Sequence, residues 1–393
     1  MTDIAYRWID STTGLDNLID ELRHVDRIAL DTEFHREKTY YPKLALLQLA
    51  WDGGIALIDP LAVDIAKFSE ILDSDALIVM HAAQQDLEVM ERACGVLPRR
   101  LFDTQIAAGF IGFSSPSLLN LAESLLHVKL SKGDRLTDWL RRPLDDDQKS
   151  YAASDVEHLC ALHDELVARL DGRGRLLWAL EECEWMRTHF GGPPEPSEAW
   201  LRIKEARHLR GKARGVAQAV AAWRERSAAA KDLPVRFLLG DLAVVSISQR
   251  PPTSTADLAA VRGVDERMAR GPLGQGIVAA AQEGLLSAPV KAETTPAESL
   301  DRELRPALTL VSAWVSQVAR DHQIDPALLA TRQDLSDLLR GDPAAALSHG
   351  WRAEMVGDAI GRLVAGHASI AFDGHGELVL EPRFGYQSPE IVD

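Results

Sequence analysis

The stretch IALDTEFHREKTYYPKLALLQLA, residues 28–50, decides how the first part of the chain folds. Its apolar ends predict two neighbouring strands of a buried sheet. Between them, Asp31 and Glu33 lie two positions apart, so both side chains leave the same face of the first strand. A buried carboxylate is costly unless it is paired, hydrogen-bonded or bound to a metal. The stretch therefore predicts a buried strand that ends in a polar site.

The segments on either side of this stretch alternate between strand and helix patterns. IALIDP and ALIVMHA predict further strands, and WDGG predicts a hairpin turn before the first of them. QQDLEVMERACG, SLLNLAESLLHV and SYAASDVEHLCALHDELVARL have helical apolar spacing. FDTQIAAGFIG predicts a strand end and a helix, with Asp103 as the N-cap rather than a further active-site acid. Residues 1–190 are thus predicted to form an α/β domain, a mixed sheet flanked by helices.

Two all-helical blocks are predicted after residue 190. FGGPPEPSEAW, residues 190–200, is a Pro/Gly-rich boundary, and SAPVKAETTPAES, residues 287–299, is a second linker. The blocks between and after them cover residues 196–287 and 297–372 and are of typical small-domain size. LAVVSI in the first block is predicted to be helical despite its strand-like composition. The tail is assigned to residues 373–393, and the stretch ASIAFDGHGELVLEPRFGYQSPEIVD, residues 368–393, is expected to form a short strand pair or to stay irregular.

The net charge of −16 is unevenly distributed along the 393 residues. Residues 1–190 carry −13, residues 191–290 carry +4 and residues 291–393 carry −7. The basic island contains six cationic side chains within 13 positions: Arg202, Lys204, Arg207, Arg210, Lys212 and Arg214. Such density suits phosphate contacts with RNA, and the alternative is an ordinary solvated face.

Composition also excludes several classes of protein. The three cysteines form no C-x-x-C pair, so neither a disulfide framework nor a zinc site is expected. No apolar run approaches the roughly 18 residues of a membrane span, and no secretory signal is apparent at the N-terminus. We expect a reducing, cytoplasmic location. A monomer is expected, because no heptad seam is present.

Further acids follow Asp31 and Glu33 along the chain, one at a mid-domain helix start and one on a late helix. Asp86 follows the run ALIVMH and would lie at the start of a helix leaving the carboxyl end of a strand. Tyr151 and Asp155 are four apart, on one helical face. Each feature alone has an ordinary structural explanation. Four gathered carboxylates would repel one another, however, and divalent cations with a preference for oxygen ligands remove that conflict.

This order of acids resembles the DEDD exonucleases of the ribonuclease H-like fold. The pattern D-x-E, then Asp86 in the H-x-x-x-x-D stretch, then Y-x-x-x-D is similar to their Tyr subclass. The His subclass has His five residues before the last Asp, where this chain has Ser150. The two helical blocks resemble paired HRDC domains, which are nucleic-acid-binding modules. The resemblance covers residues 5–370.

The resemblance implies a role for each residue that matches the family motif. Asp31, Glu33, Asp86 and Asp155 would ligate two divalent metal ions, Mg²⁺ or Mn²⁺. One metal would activate a water, and the other would stabilise the leaving 3′ oxygen. Tyr151 would orient the attacking water, because an unperturbed phenol is a poor general base at neutral pH. RNA with a free 3′-hydroxyl, tRNA precursors in particular, would be shortened from the 3′ end with release of 5′-nucleoside monophosphates.

Other residues are candidates for substrate contact. Phe34 either stacks on a terminal base or belongs to the core, and Gln48 is either a satisfied core amide or faces the cleft. Lys132 lies in SKGD, which departs from the acid-Lys-Ser-like run of the family. Arg207, Arg210 and Lys212 of the basic island are candidates for phosphate contacts.

Two other functions remain open at this stage. The same acids serve a 3′–5′ DNA exonuclease, since only contacts to the 2′-hydroxyl distinguish the two sugars. A catalytically inactive nucleic-acid-binding scaffold is the other alternative. The presence of all four acids and of Tyr151 argues against the scaffold.

Overall fold

The computed structural model describes residues 4–130, 137–287 and 304–383. Residues 7–103 supply the six strands of one mixed sheet. Their bounds are β1 Arg7–Ile9, β2 Arg27–His35, β3 Lys43–Trp51, β4 Gly54–Ile58, β5 Leu77–Met80 and β6 Arg100–Asp103. The strand order is β1-β4-β3-β2-β5-β6, with β3 antiparallel to both of its neighbours and the other pairs parallel. The predicted strands and the hairpin turn between Trp51 and Gly54 are confirmed.

Eight helices cover the two faces of this sheet. Their bounds are α1 Thr12–Leu22, α2 Ser69–Leu72, α3 Gln84–Cys94, α4 Thr104–Gly109, α5 Leu118–Leu126, α6 Asp146–Glu157, α7 Leu159–Asp171 and α8 Leu176–Thr188. Ile28 and Leu30 of β2 pack with α1 and α3, whereas Ala29 packs on the other face with α7. The long helix expected over residues 150–170 is broken at His158 (φ −109°, ψ 0°) into α6 and α7.

The first helical block has a core of its own, built from residues 199–281. Its helices are α9 Gly211–Lys231, α10 Val235–Leu238, α11 Asp241–Gln249, α12 Thr255–Ala259, α13 Glu266–Arg270 and α14 Pro272–Leu286. The segment LAVVSI is helical, as predicted. The basic segment before α9 is not a regular helix, because it forms the 3₁₀ turns Ala199–Arg202 and Ala206–His208. Gly211, the first residue of α9, takes a positive φ of 54°, which suits glycine, and the chain changes direction there between these turns and the helix.

The second helical block shares its core with the sheet domain. Its elements are α15 Leu304–His322, α16 Pro326–Leu329, α17 Arg332–Leu339, α18 Gly350–Arg352 and α19 Asp358–Val364. Buried residues of α15 and α18, such as Leu308 and Trp351, belong to the same cluster as Phe110 and Leu162 beneath the sheet. The boundaries drawn from the sequence remain predictions, but this block has no separate core within the described residues.

Trp351 is the centre of that shared core. Its ring stacks on Trp178 of α8 at 5.5 Å and meets the edge of Phe110 at 5.0 Å. Its indole N–H donates to Glu182 Oε1 at 3.0 Å, and the Arg352 guanidinium binds the same carboxylate through two nitrogens. Glu182 is 8% exposed, so two donors from the second block satisfy a nearly buried acid of the first domain.

The first helical block docks on the loop that joins β2 to β3. The Tyr40 hydroxyl donates to Glu225 Oε1 at 2.6 Å. Asp232, at the end of α9, accepts the backbone N–H groups of Tyr40 and Tyr41 at 3.1 and 3.0 Å. The block is therefore anchored on the segment that directly follows the strand carrying Asp31 and Glu33.

The last described residues form an antiparallel pair, β7 Ala368–Phe372 and β8 Leu378–Pro382. The strand pair expected for residues 368–393 is present and begins at Ala368, so its first strand overlaps the span 297–372 predicted for the second block. The predicted linker at residues 287–299 lies almost entirely outside the described residues. No helix among the described segments has the length and apolar character needed to cross a lipid bilayer.

The shared core makes a prediction about Glu182. Glu182→Ala should lower the free energy of unfolding by about 3 kcal/mol, since it leaves Arg352 and the Trp351 indole without their buried acceptor. The thermal midpoint measured by differential scanning fluorimetry should fall accordingly.

Glu165→Ala is the matched control, because Glu165 forms an exposed pair with Arg169 one helical turn away. Its effect should stay below about 1 kcal/mol. Equal shifts for the two variants would contradict the assignment of Glu182 as the connection between the two parts.

Candidate active site

The end of β2 is open on one side, and this opening creates the site. Pairing with β5 stops at Ala29, whereas pairing with β3 continues to His35. Asp31 and Glu33 therefore lie on a part of β2 that protrudes beyond β5. A bulge between Glu33 and Phe34 ends the regular register directly after the second acid.

Helix α6 brings Asp155 onto the same face of β2. One carboxylate oxygen from each of Asp31, Glu33 and Asp155 lies within 4.8 Å of the other two. Tyr151 is one helical turn before Asp155 and half-buried, with its ring centroid 6.2 Å from that of Trp139. The structure thus brings Asp31, Glu33 and Asp155 together, with Tyr151 one helical turn from Asp155.

Two sets of contacts fix the position of α6. Asp145 and Gln148 form a capping box at its first turn. Just before it, Arg142 binds Asp59 of the sheet domain through two nitrogens, both at 2.7 Å, and donates to the backbone carbonyl of Ala45 at 2.6 Å. This clamp holds the start of α6 against β3 and β4.

Asp86 approaches the cluster from the other face of β2. It lies in the first turn of α3, is 8% exposed, and accepts a hydrogen bond from the Thr32 hydroxyl. Asp103 sets the start of α3, because its carboxylate accepts the N–H groups of Ala82 and Ala83 at 3.1 and 2.8 Å. Asp103 also caps α4 as predicted, so it is a structural acid.

The gathered charges perturb one another. Burial raises the pKa of Asp31 well above its ordinary value, and the negative charges of Asp86, Asp155 and Glu33 raise it further. Burial likewise raises the pKa of Asp86 to about 7, against the lowering effect of the Thr32 hydroxyl. Because burial and neighbouring negative charges disfavour their ionised forms, Asp31 and Asp86 keep their protons more readily than usual. Their hard oxygen atoms would suit a divalent cation such as Mg²⁺ or Mn²⁺. The donor set therefore fits the metal expected from the sequence.

The structure separates the remaining sequence-based candidates. Phe34 is partly buried and packs against the core between β2, α1 and α3, which favours the core interpretation. Gln48 is fully buried, so the hypothesis that it contacts a substrate directly is wrong. Lys132 lies outside the described residues.

The basic island divides into anchoring and exposed residues. Arg207 is partly buried and donates to the carbonyl of Leu201, and Arg214 donates to that of Leu209 at 2.8 Å. Both therefore help to shape the segment before α9. Arg210 and Lys212 are exposed at the start of that helix and are the members of the predicted trio suited to phosphate contact.

Sequence reasoning missed the groups that support the acids. Thr32 lies between the two predicted acids of β2, and Arg142 precedes α6 by a few residues. Asp59 directly follows β4 and is 5% exposed. A polar residue at the end of an otherwise apolar strand was the available signal for Asp59, but nothing in the sequence indicates that Arg142 is its partner.

Comparison with known proteins identifies the family of the chain. A family model described as 3′–5′ exonuclease matches residues 6–171, and the HRDC domain model matches residues 213–280. Ribonuclease D of Gluconacetobacter diazotrophicus is 35% identical over 93% of this chain and 94% of its own length. The crystal structure of Escherichia coli RNase D, described as an exoribonuclease involved in structured RNA processing, superimposes with a TM-score of 0.83. It is 31% identical and covers 93% of this chain and all of its own.

The fold and the matched domain define the class of protein as a 3′–5′ exonuclease, a hydrolase. The chain belongs to the ribonuclease D family, and it is accordingly a 3′–5′ exoribonuclease. The ribonuclease H-like sheet domain followed by helical domains is confirmed, and one HRDC domain is evident, in the first helical block. The assignment of the second block as a further HRDC domain stays a prediction.

The raised pKa of Asp86 predicts an unusual pH dependence for the metal-free protein. Between about pH 4 and pH 7 the folded state keeps a proton that the unfolded chain has released, so the free energy of unfolding falls as pH rises. The thermal midpoint should be lower at pH 8 than at pH 5 in the presence of chelator. Asp86→Asn should reduce that difference, since Asn does not titrate; an unchanged pH dependence would contradict the shift.

Proposed function

We propose that the chain shortens RNA from its 3′ end with the help of two divalent cations held by Asp31, Glu33, Asp86 and Asp155. The observation that carries this proposal is the convergence of three carboxylate oxygens within 4.8 Å, from a strand end and a helix far apart in sequence. Asp86 is adjacent on the other side of β2, and its negative charge raises the pKa of Asp31 more than the charges of Asp155 and Glu33 do.

The acids have different surroundings, and this suggests a division of labour. Asp31 is one of the three acids whose oxygens converge, and it also feels the charge of Asp86, so its carboxylate is suited to serve both cations. The hydrogen bond from Thr32 limits the movement of the Asp86 carboxylate. Asp86 is therefore suited to position a second cation or its water. When bound, the cations would neutralise the cluster, lower the pKa of water and offset charge on the phosphate.

Tyr151 is proposed to orient the attacking water. It lies one turn from Asp155 on α6, and the Arg142 clamp and the capping box fix that helix. A phenol that only holds a water in line with the phosphorus need not be ionised. The phosphodiester then breaks at the bond to the 3′ oxygen of the penultimate nucleotide. This releases a 5′-nucleoside monophosphate and a new 3′-hydroxyl.

RNA with a free 3′-hydroxyl, such as a tRNA precursor, is the proposed substrate. The E. coli relative is described as acting in structured RNA processing, and the basic segment before α9 offers exposed Arg210 and Lys212 for the phosphate backbone. A monomer in the cytoplasm remains our proposal for the working state.

An assay on labelled RNA with a free 3′-hydroxyl tests the metal mechanism. Stepwise shortening should require Mg²⁺ or Mn²⁺ and stop on addition of EDTA. Asp155→Asn should lower the rate more than about 100-fold, because even outer-shell partners of metal ligands typically contribute 10–100-fold. RNA binding, measured by fluorescence anisotropy, should be retained.

Asp147→Asn is the matched control, since it removes an equal charge from an exposed position on the same helix. It should leave the rate unchanged. Cleavage that persists in EDTA would refute the role of cations, and faster shortening of DNA than of RNA would favour the DNA exonuclease.

The basic segment predicts a change in salt dependence. Arg210→Ala combined with Lys212→Ala should weaken RNA binding and reduce the slope of log K against log salt by about 1–2, as expected for two lost phosphate contacts. Arg207 is left intact, because its side chain supports the backbone.

Arg332→Ala combined with Arg362→Ala removes the same charge from exposed positions of the second block. This control should leave the slope unchanged. If both pairs gave the same slope as the unmodified chain, the basic island would be only a solvated surface.

A further inference from the structure

Gln48 is a buried amide that the description of the site leaves unexplained. It lies in the middle of β3 and is 0% exposed. Neither its amide nitrogen nor its amide oxygen has a hydrogen-bond partner within the described parts of the chain. An unpartnered buried amide lowers stability, so packing alone does not explain why an apolar side chain does not occupy this position.

The register of the sheet places Gln48 directly beside Asp31. The two residues are opposite each other in the antiparallel pair of β2 and β3, so their side chains leave the same face. Opposite Cβ atoms in such a pair are about 4.5–5.5 Å apart, which is within reach of a glutamine amide.

The other side chains in the row of Gln48 across the sheet offer no hydrogen-bond acceptor. Leu57 of β4 is opposite it on the other side, and Trp8 of β1 follows Leu57 in the same row. Helix α6 covers the row, and its residues Ala152 and Ala153 are fully buried there. Within this row across the sheet, the Asp31 carboxylate is the one group that can accept a hydrogen bond from the amide.

We propose that Gln48 is a positioning residue for the metal site: its amide N–H donates to the Asp31 carboxylate when the cluster holds divalent cations. A carboxylate that faces two cations must keep one orientation, and a hydrogen bond from an outer partner fixes it. The inference rests on the proposed role of Asp31 as a metal ligand. It assigns to β3 a function in the reaction besides supporting β2.

Gln48→Met tests the proposal, because methionine has nearly the same shape but no amide. Mn²⁺ binding to the RNA-free protein, measured by electron paramagnetic resonance, should weaken about tenfold or more. The thermal midpoint in chelator should be equal to or higher than that of the unmodified chain, since an unpartnered polar group has been removed. Exonuclease activity should then require a correspondingly higher Mn²⁺ concentration.

Leu49→Met is the matched control. Leu49 is the next residue of β3, is also 0% exposed and points to the opposite face. It should leave Mn²⁺ affinity unchanged. If the Gln48→Met variant does not fold, Mn²⁺ affinity can be measured on Gln48→Leu instead.

The experiment separates this inference from the proposed function on which it rests. Asp31→Asn should abolish most Mn²⁺ binding. If Asp31→Asn does so while Gln48→Met and Gln48→Leu bind Mn²⁺ as tightly as the unmodified chain, Gln48 is a core residue and the inference is overturned. If Asp31→Asn binds Mn²⁺ normally, the metal role of Asp31 is wrong and the inference falls with it.

Discussion

Mutual repulsion among carboxylates at the end of β2 is the constraint on which the rest of the structure depends. Asp31 is surrounded by Glu33, Asp86 and Asp155, and burial together with their charges raises its pKa. In water these acids would move apart. They remain together because β2 protrudes beyond β5, because α6 is clamped by Arg142 and Asp59, and because Asp103 fixes the turn before α3. As a result, the site strongly favours the binding of positively charged groups.

The same repulsion explains the role of several contacts that lie away from the acids. The Thr32 hydroxyl bonded to Asp86, the capping box of α6 and the proposed amide of Gln48 each restrict the rotation or displacement of a charged group. A preorganised site needs such supporting contacts, because small displacements of a catalytic group reduce the rate greatly. The supporting residues lie on β2, β3 and β6 or directly follow β4, so the sheet holds the catalytic groups in fixed positions.

Local patterns predicted the parts of the fold that depend on neighbouring residues. The alternation around Asp31 and Glu33 placed both on one face, the spacing of Tyr151 and Asp155 placed them on one helical turn, and Asp103 was correctly read as a cap. Convergence of the distant acids was inferred from their order and from the family resemblance, not from any one segment.

What escaped prediction depends on residues far apart in the chain. Arg142 and Asp59 are 83 positions apart, and Trp351 and Glu182 are 169 apart. Such pairs leave no periodic pattern in a single sequence. The burial of Gln48 could not be predicted either, because a polar residue in an apolar strand gives the same sequence pattern whether it faces a cleft or a helix.

The shared core around Trp351 has a consequence for how the chain is made. The first helical block has its own core and can condense as soon as its residues have left the ribosome. The sheet domain cannot complete its packing at that point, because Trp351, which packs on Phe110 and Trp178, has not yet been synthesised. At typical rates of about 5–20 residues per second, the interval between the synthesis of Trp178 and that of Trp351 is on the order of ten seconds or more. During that interval one face of the nuclease sheet lacks part of its packing, and the second helical block later covers it.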